Sequence, residues 1–297
     1  MVFSAVTTAA NRAIDGSTPA VLERCRRFTT RQRLRYRTWR HCGREYAAPI
    51  DPFRVRRLVP GAITHVLTEG DRLALANGRP GWIQSVDDGD WDREAVRFTE
   101  TPLYEALRAH FADGTPWEET GYAEALERID RVYREAGRDP RYDLSNDTDR
   151  NVRYAYLDEL YDRIATEGYR SAAAVRADGG SSAGFRSRDG TDTEIEIGTG
   201  PGTGTRTITR TADAPLPPAK REIRVAVGRD GRFILESGRH RLAVARLLGL
   251  EEIPVHVLRR HERWQARRDR VVLTGVDGGD HPDLADLTPG RLSLEAD

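Results

Sequence analysis

The stretch FILESGRHRLAVARLLGLEEIPVHVL, residues 233–258, contains the pattern that decides the fold. Its first apolar run is broken by Gly238, and a segment rich in alanine and leucine follows until Gly249. A second apolar run begins at Ile253. Because glycine interrupts strands and commonly follows the last residue of a helix, this order predicts a strand, a turn, a helix and a second strand.

The residues just before this stretch add another strand. Ile223, Val225 and Val227 alternate with less apolar residues, which is the period of a half-buried strand. Asp230 and Gly231 then form a dipeptide typical of tight hairpin turns. We therefore expect an antiparallel hairpin that leads into the glycine turn, the helix and the final strand.

Three basic residues, Arg239, His240 and Arg241, stand where the predicted helix begins. Cations oppose the helix dipole at this end, whereas the unpaired backbone N–H groups there attract anions. Arginine also offers a two-pronged donor to phosphate oxygens. The pattern predicts a phosphate-binding turn made of Ser237, Gly238, Arg239, His240 and Arg241. The alternative is that the arginines pair with Glu236, Glu251 or Glu252 while the histidine packs inside.

These residues also carry a family resemblance. Gly238-Arg239-His240-Arg241 followed by LAVARLLGLEEIPV resembles the phosphate-binding box of the ParB/sulfiredoxin-like superfamily. PIDPFRV (49–55) resembles the first box of that superfamily, and LDELYDRIATEGYRS (157–171) resembles the helix before its central strand. The resemblance covers residues 46–66, 151–172 and 221–262. It implies a nucleotide ligand (CTP, ATP or ADP), with Mg²⁺ as a companion of the phosphates, and it allows a homodimer.

Departures from the superfamily pattern narrow the implied activity. Sulfiredoxins carry a catalytic cysteine where this chain has Arg239, which argues against sulfiredoxin chemistry. The related serine kinases have other residues at Ser237 and Arg239, and the 35 residues after Glu262 are too few for the DNA-binding domain of ParB. NTP hydrolysis or phosphoryl transfer remains, with Glu236 as the nearest carboxylate in sequence and the candidate general base.

The predicted fold class is α+β, a small mixed sheet with packed helices. A basic, arginine-rich helical segment occupies residues 1–45, and the ParB-like domain occupies 46–262. Within that domain, 67–150 is expected to be a largely helical insertion and 173–220 a flexible loop. Residues 263–297 are expected to form a tail that is basic and then acidic.

The distribution of charge suggests a second kind of partner. The net charge is zero, but residues 21–60 hold 12 arginines against Glu23, Glu45 and Asp51. One hypothesis is a DNA- or RNA-binding, regulatory or nuclease-like module that uses the glycine turn together with Arg26, Arg27, Arg31, Arg33, Arg37 and Arg40. Another is that the basic faces pack against acidic parts of the same chain. A non-catalytic interaction domain is the third alternative.

No metal site and no membrane span are predicted. Acidic residues at Asp87, Asp88, Asp90 and Asp92 are typical of a solvated turn, and Cys25, His41, Cys42 and His65 lack the paired spacing of zinc ligands. No run approaches the roughly 20 apolar residues of a spanning helix. With only two cysteines and no secretory leader pattern, the expected location is the cytoplasm.

Overall fold

The computed structural model describes residues 28–43, 45–76, 83–142, 144, 146–177 and 218–287. A seven-stranded mixed sheet with helices packed on it confirms the predicted α+β class. The strands are β1 (Val55–Leu58), β2 (Ile63–Val66), β3 (Ser85–Asp87), β4 (Val96–Arg97), β5 (Ile223–Val227), β6 (Phe233–Ser237) and β7 (Ile253–His261). Their order is β1-β7-β5-β6-β2-β4, and β3 pairs with the far end of β7.

The helices come from every part of the described chain. Residues 28–38 form α1, which continues into a π-helical turn at Trp39–Gly43. The others are α2 (Glu69–Ala76), α3 (Pro102–Phe111), α4 (Tyr122–Glu135), α5 (Asp147–Glu167), α6 (Ala172–Ala177), α7 (Arg239–Leu247) and α8 (Glu262–Thr274). None of the helices in the described ranges is both long and apolar enough to cross a membrane.

Residues 223–261, which contain β5, β6, α7 and β7, form the centre of the molecule. β5 and β6 pair antiparallel as a hairpin, and β7 runs parallel to β5 on its other side. Between β6 and β7, the helix α7 buries Leu242, Ala243, Val244 and Ala245 completely. Their small or compact side chains let α7 lie close to the sheet, with α3 and α5 in contact with it. The predicted strand–turn–helix–strand order is confirmed.

The first predicted box is only partly strand. β1 is four residues long, and Val55, the last residue of the first box, is 38% exposed. Its neighbour Arg56 points inward instead and makes ion pairs with Asp283 and Asp286. A strand alternates its faces, so the inward position of Arg56 and Leu58 forces Val55 outward.

The segment at residues 67–150 contains the helices α2, α3 and α4 and the start of α5, and it also contributes the strands β3 and β4 to the sheet. Its first helix is α2, Glu69–Ala76. Thr68 caps it: its hydroxyl accepts the backbone N–H of Asp71 at 3.1 Å. At the two ends of the expected flexible loop at 173–220, residues 172–177 and 218–221 are helical. Residues 178–217 lie outside the described residues.

The expected C-terminal tail is wrong for residues 263–287, which belong to the folded body. α8 packs on the core through Trp264, which is 1% exposed and donates its indole N–H to Asp283 at 3.0 Å. Arg260 and Arg268 also bind Asp283, which is fully buried. The buried arginines at the end of β7 and on α8 are therefore paired with an acidic residue of the same chain.

Candidate functional site, an arginine pocket

The glycine turn at the start of α7 has the backbone geometry that the sequence predicts. Gly238 has φ of 96°, in the left-handed region that favours glycine, and it precedes the first helical residue. A Cβ at this position would stand 3.0 Å from Cγ1 of Ile223 and 3.3 Å from its Cα. The first turn of α7 contains no acidic residue. Its unpaired N–H groups and positive dipole end therefore have no carboxylate from their own helix.

Five arginines from four parts of the chain line one cavity beside this turn. Arg72 comes from α2, Arg141 from the loop after α4, Arg153 from α5, and Arg239 and Arg241 from α7. We call this cavity, about 20 Å³ in volume, the arginine pocket. Its remaining lining residues are Tyr142, Tyr156, Leu160, Ser237, Gly238 and His240.

One carboxylate lies between two arginines of the pocket. Glu69 forms an ion pair with Arg239, and its other oxygen lies 3.7 Å from Arg72. Burial alone would raise the pKa of Glu69, but Arg239, Arg72 and Arg141 lower it to about 2. Glu69 is thus ionised at neutral pH and acts as the internal counter-ion of the pocket.

The concentration of positive charge in the pocket affects the pKa of Arg72. Burial and the nearby charge of Arg141 lower the pKa of Arg72 to about 10. A guanidinium whose charged form is disfavoured in this way gains stability from any additional anion that enters. The electrostatics of the pocket therefore favour an anionic ligand.

His240 lies in this field as a neutral ring. Burial and then the neighbouring arginines, Arg153 first, hold its pKa well below the usual value. Arg153 Nη2 lies 3.2 Å from Nδ1 of the ring and Arg153 Nε donates to the Tyr122 hydroxyl at 3.1 Å. That hydroxyl lies 2.8 Å from His240 Nε2. Because guanidinium groups only donate, an uncharged imidazole with a lone pair suits this contact, and the network fixes the position of Arg153.

Four further hydrogen bonds fix residues that line the pocket. Arg241 Nη1 donates to the carbonyl oxygen of Arg221 at 2.8 Å and to the Tyr169 hydroxyl at 3.2 Å. Asp130 accepts the backbone N–H groups of Arg141 at 2.7 Å and of Tyr142 at 3.0 Å. The guanidinium of Arg241 and the loop that carries Arg141 are therefore held by protein groups before any ligand binds.

A second carboxyl group lies near Arg241. Glu222 is 2% exposed, accepts the N–H of Ala172 at 2.8 Å through Oε1, and has no hydrogen-bond partner at Oε2. Burial raises its pKa to about 7, although the Ala172 N–H and the charges of Arg241 and Arg57 act in the opposite direction. Glu222 can exchange a proton near neutral pH, unlike Glu69.

The residues predicted to bind phosphate, Ser237 to Arg241, all line the arginine pocket. Glu236, the candidate general base, does not: it is not among the lining residues, and its carboxylate binds Nε of Arg259 at 2.8 Å. Consecutive strand residues point to opposite faces, so the strand that aims Ser237 at the pocket aims Glu236 away from it. The alternative pairing with Glu236, Glu251 or Glu252 does not hold for Arg239, which pairs with Glu69 instead.

The arginines proposed for nucleic acid lie elsewhere. On α1 and the π-helical turn that continues it, Arg31, Arg33 and Arg40 are exposed and Arg37 is half-buried, and none lines the pocket. Arg26 and Arg27 lie outside the described residues. Within the described ranges, no group of three or more His, Cys, Asp or Glu side chains could hold a metal ion. Asp87 instead pairs with Arg259 and Asp92 with Arg229.

The sequence did not point to five residues of the site: Glu69, Arg72, Arg141, Arg153 and Glu222. For the first two there was a signal. Thr68 and Asp71 have the spacing of a helix-capping pair, which would have placed Glu69 and Arg72 on one short helix. Arg141 and Arg153 are two among 46 arginines, and only their tertiary position distinguishes them.

Comparison with protein-family models, with curated proteins and with solved structures finds no match to this chain. The resemblance to the ParB/sulfiredoxin-like superfamily is carried by the quoted motifs alone.

Proposed function

We propose that the arginine pocket binds the phosphate group of a nucleoside di- or triphosphate, with CTP, ATP and ADP as the candidates. One observation carries the proposal: five guanidinium groups converge on a left-handed glycine turn at the start of α7, with Glu69 as the internal counter-ion. Backbone N–H groups at a helix start and arginine forks are the donors that proteins use for phosphate oxygens. The resemblance of the turn to a phosphate-binding box supports the nucleotide as the source of that phosphate.

The size of the pocket restricts what enters it. A volume of about 20 Å³ is room for little more than one water molecule. A terminal phosphate therefore enters only as arginine side chains swing outward, and the base and sugar stay outside. Arg239 and Arg72 share the partner Glu69, so an entering phosphate would compete with that carboxylate for both guanidinium groups.

The pocket suits binding and charge neutralisation more directly than a particular reaction. Phosphoryl transfer asks a protein mainly to position phosphates and stabilise their charge, which arginines do. Magnesium, where it takes part, would come with the nucleotide phosphates rather than through a carboxylate cluster. Glu236 is not part of this proposal, because Arg259 occupies its carboxylate.

Calorimetric titration of the full chain with CTP, ATP, ADP and inorganic phosphate, with and without Mg²⁺, tests the proposal. Arg153→Gln is expected to weaken binding about tenfold or more, since hydrogen bonds to charged groups contribute about 1.5–3 kcal/mol. Arg163→Gln is the matched control on the same helix, because Arg163 pairs with Glu159 away from the pocket. Phosphate release during the same titrations measures hydrolysis.

Because Arg153 is buried, its replacement can also destabilise the fold, so a second variant at a less buried arginine is compared with it. Arg72→Gln removes a pocket cation whose side chain is 18% exposed, and thermal unfolding checks that both variants remain folded. Loss of phosphate affinity in both folded variants, with the control unchanged, supports the pocket. Equal affinity in wild type and both variants, or no binding of any of these ligands to wild type, would remove the proposal.

A further inference from the structure

A different surface of the molecule carries its own chemistry. We propose that the exposed face of α1 binds single-stranded nucleic acid, with aromatic rings that stack on bases and arginines that contact phosphates. This surface, the α1 face, comprises Phe28, Tyr36 and Trp39 together with Arg31, Arg33, Arg35 and Arg40. It is separate from the arginine pocket.

Large aromatic side chains are exposed on this face. Phe28 is 64% exposed, Tyr36 56% and Trp39 48%. Separations of eight and three residues place the three rings on one side of a helix, opposite the buried Leu34. The rings of Tyr36 and Trp39 lie 6.0 Å apart at their centroids. Exposed rings in a row are a stacking platform for bases.

Arginines flank the rings on both sides. Arg31 and Arg35 lie on one flank, where their guanidinium groups stand 4.7 and 5.8 Å from the ring centroid of Phe53. Arg33 and Arg40 are seven residues apart, about two helical turns, and share the other flank. All four are exposed. A strand that lays its bases on the rings would have arginines within reach of its phosphates.

The charge of this face is not neutralised by the described chain. Residues 28–44 contain six arginines and no acidic residue. Within the described ranges, Arg31, Arg33, Arg35 and Arg40 take part in no ion pair, whereas the buried Arg259 and Arg260 of β7 and Arg268 of α8 are paired with carboxylates. The buried arginines near the C-terminus are therefore satisfied internally, whereas the exposed arginines on α1 are complementary to a polyanion.

Stacking distinguishes a single strand from a duplex. In a duplex the faces of the bases are stacked on one another and are not accessible to protein rings, so only the arginines would contribute. In a single strand both contributions are available. The combination of rings and arginines thus favours single-stranded DNA or RNA over a duplex.

Fluorescence anisotropy with a labelled oligothymidylate or oligouridylate and a duplex of equal length tests the α1 face on the full chain. The single strand is expected to bind about tenfold tighter than the duplex, because each stacked base contributes about 1–3 kcal/mol. Phe28→Ala combined with Tyr36→Ala should remove that preference. Arg33→Gln combined with Arg40→Gln should weaken both ligands and lower the salt dependence of binding by about one to two released counter-ions.

A matched control variant and a comparison with lipid vesicles complete the test. Arg128→Gln combined with Arg131→Gln removes the same charge from exposed positions of α4 and should leave affinity unchanged. The proposal would be overturned if the variant with Phe28→Ala and Tyr36→Ala kept its affinity for single strands, or if only Arg153→Gln lowered that affinity. It would also be overturned if the wild type did not bind single strands. Binding to anionic lipid vesicles without binding to oligonucleotides would overturn it in favour of a membrane surface.

Discussion

Glu69 and Arg239 form a largely buried ion pair that joins α2 to the first residue of α7. The pair brings a carboxylate into the place where the proposed phosphate would bind. Glu69 therefore has two opposed effects: it stabilises the protein without ligand, and it competes with any anion that enters.

Glu69→Gln should separate these two effects. Loss of the carboxylate leaves Arg72 and Arg239 near one another without their counter-ion, which is expected to cost about 2–4 kcal/mol of unfolding free energy. The same change should raise the affinity for inorganic phosphate about tenfold, because the competing carboxylate is gone. Denaturant unfolding with and without phosphate measures both. Lower stability without any gain in phosphate affinity would contradict the role of Glu69 as an internal competitor.

Gly238 provides a test of the turn itself. Gly238→Ala combines a φ of 96° with a Cβ only 3.3 Å from backbone Cα of Ile223, so the turn must shift. We expect a loss of about 2–4 kcal/mol of unfolding free energy and weaker phosphate binding. Gly249→Ala is the matched control at the other end of α7, since its φ is 64° but no atom lies within 4 Å. It should cost about 1 kcal/mol and leave binding intact.

Both variants are compared by thermal unfolding and by phosphate titration. Similar losses at the two glycines would mean that backbone conformation alone, and not the close approach to Ile223, sets the cost at Gly238. Unchanged phosphate affinity in a folded Gly238→Ala variant would show that the turn does not shape the binding site.

Local patterns in the sequence were sufficient to predict the centre of this fold. Gly238, Gly249 and the alternating residues of β5 each indicate a structure within a few positions, and they place the turn correctly. Predictions from local patterns fail where charged side chains are buried. β7 continues through Arg259 and Arg260, which look like a surface segment until their partners Glu236 and Asp283 are known. Those partners are 23 residues away in sequence and carry no local signal.

The residues of the candidate site also fall into two groups, those with a local signal in the sequence and those without one. The turn residues were predictable because a helix start, a glycine and adjacent arginines are a local pattern. Arg141 and Arg153 reach the pocket only because Asp130 fixes one loop and α5 packs against α7. Sequence spacing contains no information about such contacts, so the number of arginines in the pocket was not predictable.

Glu222 should make stability depend on pH in a specific window. Its pKa is about 7 in the folded protein and 4.5 as the reference for an unfolded chain. Between these values the folded state keeps a proton that the unfolded chain has lost, so raising the pH through this window lowers the free energy of unfolding. Below the window both states are protonated, and above it both are ionised, so the cost is constant there. The full effect is about 3 kcal/mol at most, at about 1.4 kcal/mol per pKa unit.

Glu222→Gln keeps the shape of the protonated carboxyl without its titration. Its unfolding free energy relative to wild type should therefore rise between pH 4.5 and about 7, the window set by the pKa of Glu222, and then stay level. Urea unfolding at intervals of pH measures the difference, and Glu251→Gln, at an exposed position, is the control. A difference that is flat across this window, or that grows as the pH falls, would show that Glu222 is ionised in the folded protein. In that case the ionised Glu222 would add a negative charge near Arg241, which would oppose the binding of a phosphate there.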